Sequence, residues 1–88
     1  MHAVVTTVKI ADREKAEGFL KEQLIPRLSE TEGFVAGYWT NIGGDRGASM
    51  AVYESEEAAK ESVDKFEAPP AEVVTIESMQ VGEVVGHA

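Results

Sequence analysis

The run Phe34-Val35-Ala36-Gly37-Tyr38-Trp39-Thr40-Asn41-Ile42 constrains the fold more than any other stretch, because it is closed at both ends. Gly33 stands before it, at a position that ends a helix with φ > 0. Gly43 to Gly47 stand behind it, three glycines with Asp45 and Arg46, the composition of a hairpin turn. A strand bounded in this way pairs with the segment on the far side of the turn, and Ala48 to Glu54 is that antiparallel partner. The run carries three of the chain's six aromatic residues. Regular alternation places Phe34, Tyr38 and Ile42 on one face and Val35 and Trp39 on the other.

The flanking segments are read from their periodicity. His2 to Ile10 is β-branched and loosely alternating, which predicts a first strand. Asp12 is placed to cap a helix reaching about Glu30. Ala16, Phe19, Leu20, Leu24 and Leu28 form its apolar stripe, and Glu17 and Lys21 are spaced to pair on the outside. Pro26 falls inside this pattern and predicts a kink or a restart. Ser55 caps a second helix with Ala59, Val63 and Phe66 inward, stopped by Ala68-Pro69-Pro70. Ala58, Ala59 and Ser62 leave room for a ligand on this helix or allow close packing. Glu72 to Gly86 is strand-like again. At ~3.3 Å per residue it would span roughly 50 Å, against ~17–20 Å for an ordinary strand, so it must bend. Gly82 is the expected place of the bulge.

The order is β-α-β-β-α-β, an α+β chain with the ferredoxin-like arrangement and a four-stranded antiparallel sheet. Residues 1–88 form a single domain. Right-handed crossovers put both helices on one face. The other face is left bare, with Val5, Trp39, Tyr53 and Val74 or their alternates on it. Both residue sets of most strands are too apolar for water. A second copy of the chain, packed sheet on sheet, is the simplest cover. A chain of this size buries only ~60–65% of its unfolded surface. Without cysteine it has no disulfide or thiolate site to add stability.

Sixteen acids against eight bases give a net charge of −8, which argues against nucleic acid and anionic membrane as partners. Six acids lie between Asp12 and Glu32 and six between Glu54 and Glu67, the two helices and their borders. No signal segment and no span of ~20 apolar residues is visible, so the expectation is a soluble, cytoplasmic protein.

Four local patterns resemble one known group: Pro26-Arg27-Leu28, Glu32 to Trp39, the Gly43 to Gly47 turn, and Ser55-Glu56-Glu57-Ala58-Ala59. Together they resemble the dimeric α+β barrel superfamily, and within it small bacterial proteins related to the antibiotic-biosynthesis monooxygenase group. The resemblance implies a homodimer and a cavity between sheet and helices. It includes cofactor-independent oxygenases of polyphenolic aromatics, which rely on a tryptophan, an asparagine and tyrosines. By residue type these correspond to Trp39, Asn41, Tyr38 and Tyr53. It also includes haem degraders, which use a histidine on the second helix and an asparagine on the first strand. This chain has neither, so no cofactor is expected.

The candidate catalytic residues are therefore Trp39, Asn41 and Tyr38. Trp39 and Asn41 share a face, and their N–H groups can orient a phenolate and stabilise an anion. Equally, Trp39 suits a dimer interface and Asn41 the start of a turn. Tyr38 lies on the opposite face from Trp39. Phe34, Tyr53 and Thr6 are the candidate ligand-binding residues, for a small apolar or aromatic molecule. No metal site is expected. His2 and His87 can approach each other at the ends of the first and last strands, but two histidines alone do not make a site. Asp45 and Arg46 form either an anion gate or simply a turn. A non-catalytic ligand-binding protein, or a structural dimer with a filled core, is the alternative to an enzyme.

Overall fold

The computed structural model describes residues 1–88. Strand β1 is His2–Ile10, β2 is Phe34–Gly43, β3 is Arg46–Tyr53 and β4 is Val74–Glu83. They form one sheet in the order β2-β3-β1-β4, with every neighbouring pair antiparallel. Helices lie between β1 and β2 and between β3 and β4, both on one face, as the βαββαβ order requires.

The first helical stretch has three parts: α1 (Arg13–Phe19), a π turn (Leu20–Leu24) and α2 (Ile25–Ser29). Asp12 caps it, its carboxylate accepting from the Lys15 N–H at 3.0 Å. Pro26 explains the π turn. Its ring has no N–H to donate and would collide with the carbonyl one turn back in a regular helix. The wider turn just before it opens the space, with the Ile25 N–H reaching the Leu20 carbonyl five residues back. Proline thus widens the helix rather than dividing it.

Gly33 follows with φ +83°. Its backbone angle excludes most side chains. A Cβ there would also lie 2.9 Å from that of Ala58, so β2 starts hard against the second crossover. That crossover is α3 (Glu56–Asp64), capped by Ser55, whose hydroxyl accepts from the Ala58 N–H at 3.1 Å. α3 stops at Asp64, short of the Ala68-Pro69-Pro70 stop. The prolines keep it from resuming, because the residue before a proline is pushed out of the helical region.

Two irregularities correct the sequence expectations. The bulge in β4 falls at Glu77, where pairing passes from Thr7↔Ser78 to Val8↔Ile76, while Gly82 pairs regularly with Ala3. β4 is an edge strand, where a bulge disrupts only one ladder. The second irregularity lies in β2. Phe34 pairs with Tyr53 and Ala36 with Val52, so Val35 is an extra residue. One inserted residue reverses the alternation. Phe34 and Trp39 therefore share the helix-covered face, and Tyr38 alone of the three aromatics faces the other way. Tyr53 and Val74 are on the covered face too, whereas Val5 is on the bare one.

The core lies between the sheet and α3. Val4, Ala51, Tyr53 and Ala59 are its buried members, with Phe34, Val63, Met79 and Val81 packed around them. Tyr53 is 1% exposed and Ala59 0%. Ala59 is thus spent on close packing, not on room for a ligand. Only eight of 88 residues are buried, so this core is thin for the area of sheet available. Two regions account for the shortfall: the bare face of the sheet, and the space under α1 and the π turn, which approach the strands far less closely than α3 does.

Candidate functional site: a cavity beneath the first helix

A cavity of about 340 Å3 lies between the sheet and the first helical stretch. Its roof is the predicted apolar stripe: Ala16, Phe19, Leu20, Leu24 and Leu28 all line it. Its floor is the covered face of the sheet, and the strand register orders that floor into cross-strand rows.

One row reads Met79, Thr6, Ser49, Trp39 across β4, β1, β3 and β2. The next reads Ile76, Val8, Gly47, Asn41. All eight residues line the cavity. Directly paired residues in antiparallel strands have Cα atoms about 4.5–5.5 Å apart. A polar strip of Thr6, Ser49 and Trp39 therefore crosses the floor, with Asn41 beside it and aliphatic side chains at its β4 end.

Thr6 is the most informative member. The residue is 8% exposed, and its hydroxyl forms no hydrogen bond within the chain. The hydroxyl is nevertheless not sealed among apolar atoms, because it opens into the cavity. A buried hydroxyl without a partner is costly unless something in the cavity bonds to it. Ser49, the Trp39 N–H and the Asn41 amide likewise find no side-chain or backbone partner. The floor thus presents four hydrogen-bonding groups without partners in the chain, from buried Thr6 through half-buried Ser49 and Trp39 to exposed Asn41.

The aromatic residues meet beside this strip. The Trp39 indole lies over Gly37 and next to Phe34. Phe34 packs edge-on to Tyr53, with centroids 5.7 Å apart and planes at 76°. The Tyr53 hydroxyl is held by the Ser62 hydroxyl of α3 at 2.6 Å. Tyr53 therefore joins the cavity wall to the core, with its polar end already engaged.

Of the residues singled out from sequence, Trp39, Asn41, Thr6 and Tyr53 line the cavity, and Phe34 buttresses them from behind. Tyr38 does not join them: it is 67% exposed on the bare face. Arg46 pairs with Glu77 across 3.4 Å instead of guarding the mouth. Ser49 was missed, because without the register nothing distinguishes it from the other serines. Arg13 and Lys21 at the rim were missed because helix charges ordinarily face solvent.

The histidines lie elsewhere. His2 Nε2 sits 3.4 Å from Glu56 Oε2, and its buried Nδ1 has no partner. His87 comes after the last strand. No three of His, Cys, Asp and Glu are grouped to hold a metal. No histidine lines the cavity, so it offers haem iron no imidazole ligand, and the residues present do not fit that group.

No family model and no curated protein matches the chain. Solved structures do. The cofactor-independent oxygenase SnoaB from Streptomyces nogalater superposes with TM-score 0.72 over 98% of this chain and 94% of its own, at 11% identity. The chain has a ferredoxin-like fold. A dimeric ferredoxin-like protein from an uncultured marine organism matches this ferredoxin-like chain with TM-score 0.59 at 20% identity, covering 100% of it and 98% of that protein. The heme-degrader MhuD from Mycobacterium tuberculosis matches with TM-score 0.56 at 22% identity, over 97% and 98%. What these relatives share with the chain at such identities is the ferredoxin-like backbone.

Proposed function

We propose that the chain is a cofactor-independent, monooxygenase-like protein that binds a small electron-rich aromatic molecule in the cavity beneath α1. The observation that carries this reading is the polar strip. Thr6, Ser49, Trp39 and Asn41 leave hydrogen-bonding capacity unused on the floor of a largely apolar cavity. A cavity of about 340 Å3 is within the usual range for a small ligand. The likeness to SnoaB supports the oxygenase direction.

The chemistry asks little of the protein. A phenol-conjugated CH2 group can give up four electrons to O2, becoming C=O while the second oxygen atom leaves as water. No outside reductant is needed. The protein's part is to hold the ionised substrate flat beneath the helix and to stabilise its negative oxygen. The half-buried Trp39 N–H and the exposed Asn41 amide, both held in place by β2, donate to that oxygen. Thr6 and Ser49 fix the far side of the ring.

A second copy covers the bare face of the sheet. Val5, Val35, Tyr38 and Met50 are exposed there, large side chains that pair naturally with their own equivalents across a two-fold axis. In this reading Tyr38 belongs to the dimer interface.

A second reading has its own support: the only carboxylate that lines the cavity, Glu17, sits at its rim. The interior therefore has no base, which suits a carrier or sensor that binds without turnover. Oxygen consumption separates the two. With a panel of hydroxylated naphthalenes and anthrones, the oxygenase reading expects O2 uptake above the protein-free rate, reduced in Asn41→Ala. Thermal stabilisation by the same compounds without uptake would leave only the binding reading.

A further inference from the structure

The charged side chains are sorted between two hollows. The groove between the end of α2 and α3 gathers six glutamates, among them Glu32, Glu54 and Glu57, against only Arg27 and Lys65. The cavity has the opposite balance. Arg13 and Lys21 line it, against Glu17 alone. In a chain of net charge −8, this hollow has more bases than acids.

Neither base is neutralised within the chain. The ion pairs within 4.0 Å are His2–Glu56, Arg46–Glu77, Lys60–Glu56 and Lys65–Glu61, and none involves Arg13 or Lys21. The spacing of Glu17 and Lys21 would pair them on a regular helix. The π turn begins at Leu20, between them, and the two do not pair. Lys21 is thus an unpaired, exposed cation lining the cavity.

We infer that the cavity takes an aromatic carboxylate. The rings lie between Leu20, Leu24 and Ile76, the polar strip of Thr6, Ser49 and Trp39 holds the buried end, and the carboxylate meets Arg13 and Lys21 at the mouth. Low-dielectric walls concentrate the field of the two cations there, so the negative end of the ligand is drawn to the rim and the rings enter beneath the helix. This inference rests on the cavity being a small-molecule site and adds the charge of the molecule.

The test uses two ligands of matched shape, naphthalene-2-carboxylate and naphthalene-2-carboxamide, titrated calorimetrically at low ionic strength. The carboxylate is expected to bind about five- to tenfold tighter, the size of two partly exposed ion pairs. The difference is expected to shrink in about 0.5 M salt, where the screening length is only a few ångströms. It is expected to close in the Arg13→Gln/Lys21→Gln double variant, whose two sites are exposed and whose fold circular dichroism verifies. Equal binding of the two ligands, or tighter binding of the amide, overturns the charge inference and leaves the cavity reading standing. A difference that survives the double variant overturns the assignment to Arg13 and Lys21. Binding of neither ligand overturns both this inference and the cavity reading.

Discussion

The Trp39 indole lies across Gly37 so closely that a methyl group on Gly37 would fall 2.5 Å from the ring. The Phe34 ring borders the same place at 3.3 Å. The glycine in the middle of β2 is therefore the seat of the indole, and the indole is a wall of the cavity.

Gly37→Ala is expected to unseat Trp39. The ring has no free direction except into the cavity or away from Phe34, and such overpacking costs about 1–3 kcal/mol. Trp39 is the sole tryptophan, so its fluorescence reports the move directly. The expected result is a shifted emission maximum together with a lowered denaturation midpoint. An unchanged spectrum would mean the indole does not occupy this seat.

Thr6→Val separates a ligand-binding hydroxyl from a structural one. The residue is almost fully buried, yet its hydroxyl has no partner in the chain. Valine has the same shape, so stability is expected to be unchanged or higher by up to about 1 kcal/mol. Affinity for a cavity ligand with a hydrogen-bonding group is expected to fall. Destabilisation in urea would show that the hydroxyl serves the fold.

Tyr53 and Ser62 should behave in the opposite way. Their hydroxyls meet at 2.6 Å, and Tyr53 is 1% exposed. Ser62→Ala leaves a buried phenol without its partner, at about 1–3 kcal/mol. The Tyr53→Phe/Ser62→Ala double variant removes both ends, and is expected to lose less than the two single changes added together. A double-mutant cycle by urea denaturation measures that coupling.

The bare face gives a test of assembly. Met50→Lys with Tyr38→Glu introduces charge where Val5, Val35, Tyr38 and Met50 are exposed. The expected outcome is a dimer for the unmodified chain and a monomer for the variant, by sedimentation at micromolar concentration. A monomeric unmodified chain would overturn the sheet-on-sheet assembly.

Acid should weaken the two surface ion pairs of α3. Lys60 hydrogen-bonds Glu56 at 2.9 Å and attracts it, with His2 adding a smaller attraction, so the Glu56 carboxyl lies below its ordinary value of 4.5. Lys65 does the same to Glu61 at 2.7 Å. A lowered folded pKa means the contribution is complete above 4.5 and is lost as pH falls through the lowered value. The Lys65 ammonium is raised by the same contact with Glu61, so its share is complete below 10.5 and lost at higher pH. All three groups are exposed, and salt should blunt the effect. Thermal unfolding of Glu56→Gln/Glu61→Gln is expected to show a flatter acid limb than the unmodified chain.

Local chemistry was enough to read most of the architecture. Asp12 and Ser55 cap helices because their side chains reach N–H groups three residues on. Gly33 turns because its φ is positive, and the extent of β1 follows from its own β-branched residues. The β-α-β-β-α-β order, with the roof stripe from Ala16 to Leu28, needed nothing beyond such short-range signals.

The placement of the site needed the assembled sheet. Alternation along β2 separates Phe34 from Trp39, and the extra residue at Val35 rejoins them. A bulge is a property of two strands in register, so no pattern within one strand reveals it. Thr6, Ser49 and Trp39 come from positions far apart in the chain and become neighbours only through the pairing of β1, β3 and β2. The cavity depends in turn on a helix that Pro26 widens and that stands away from the strands. The sequence determined the elements because they rest on contacts between near residues. The tertiary structure decided which face each side chain takes and where room is left, because both depend on register and on packing between distant segments.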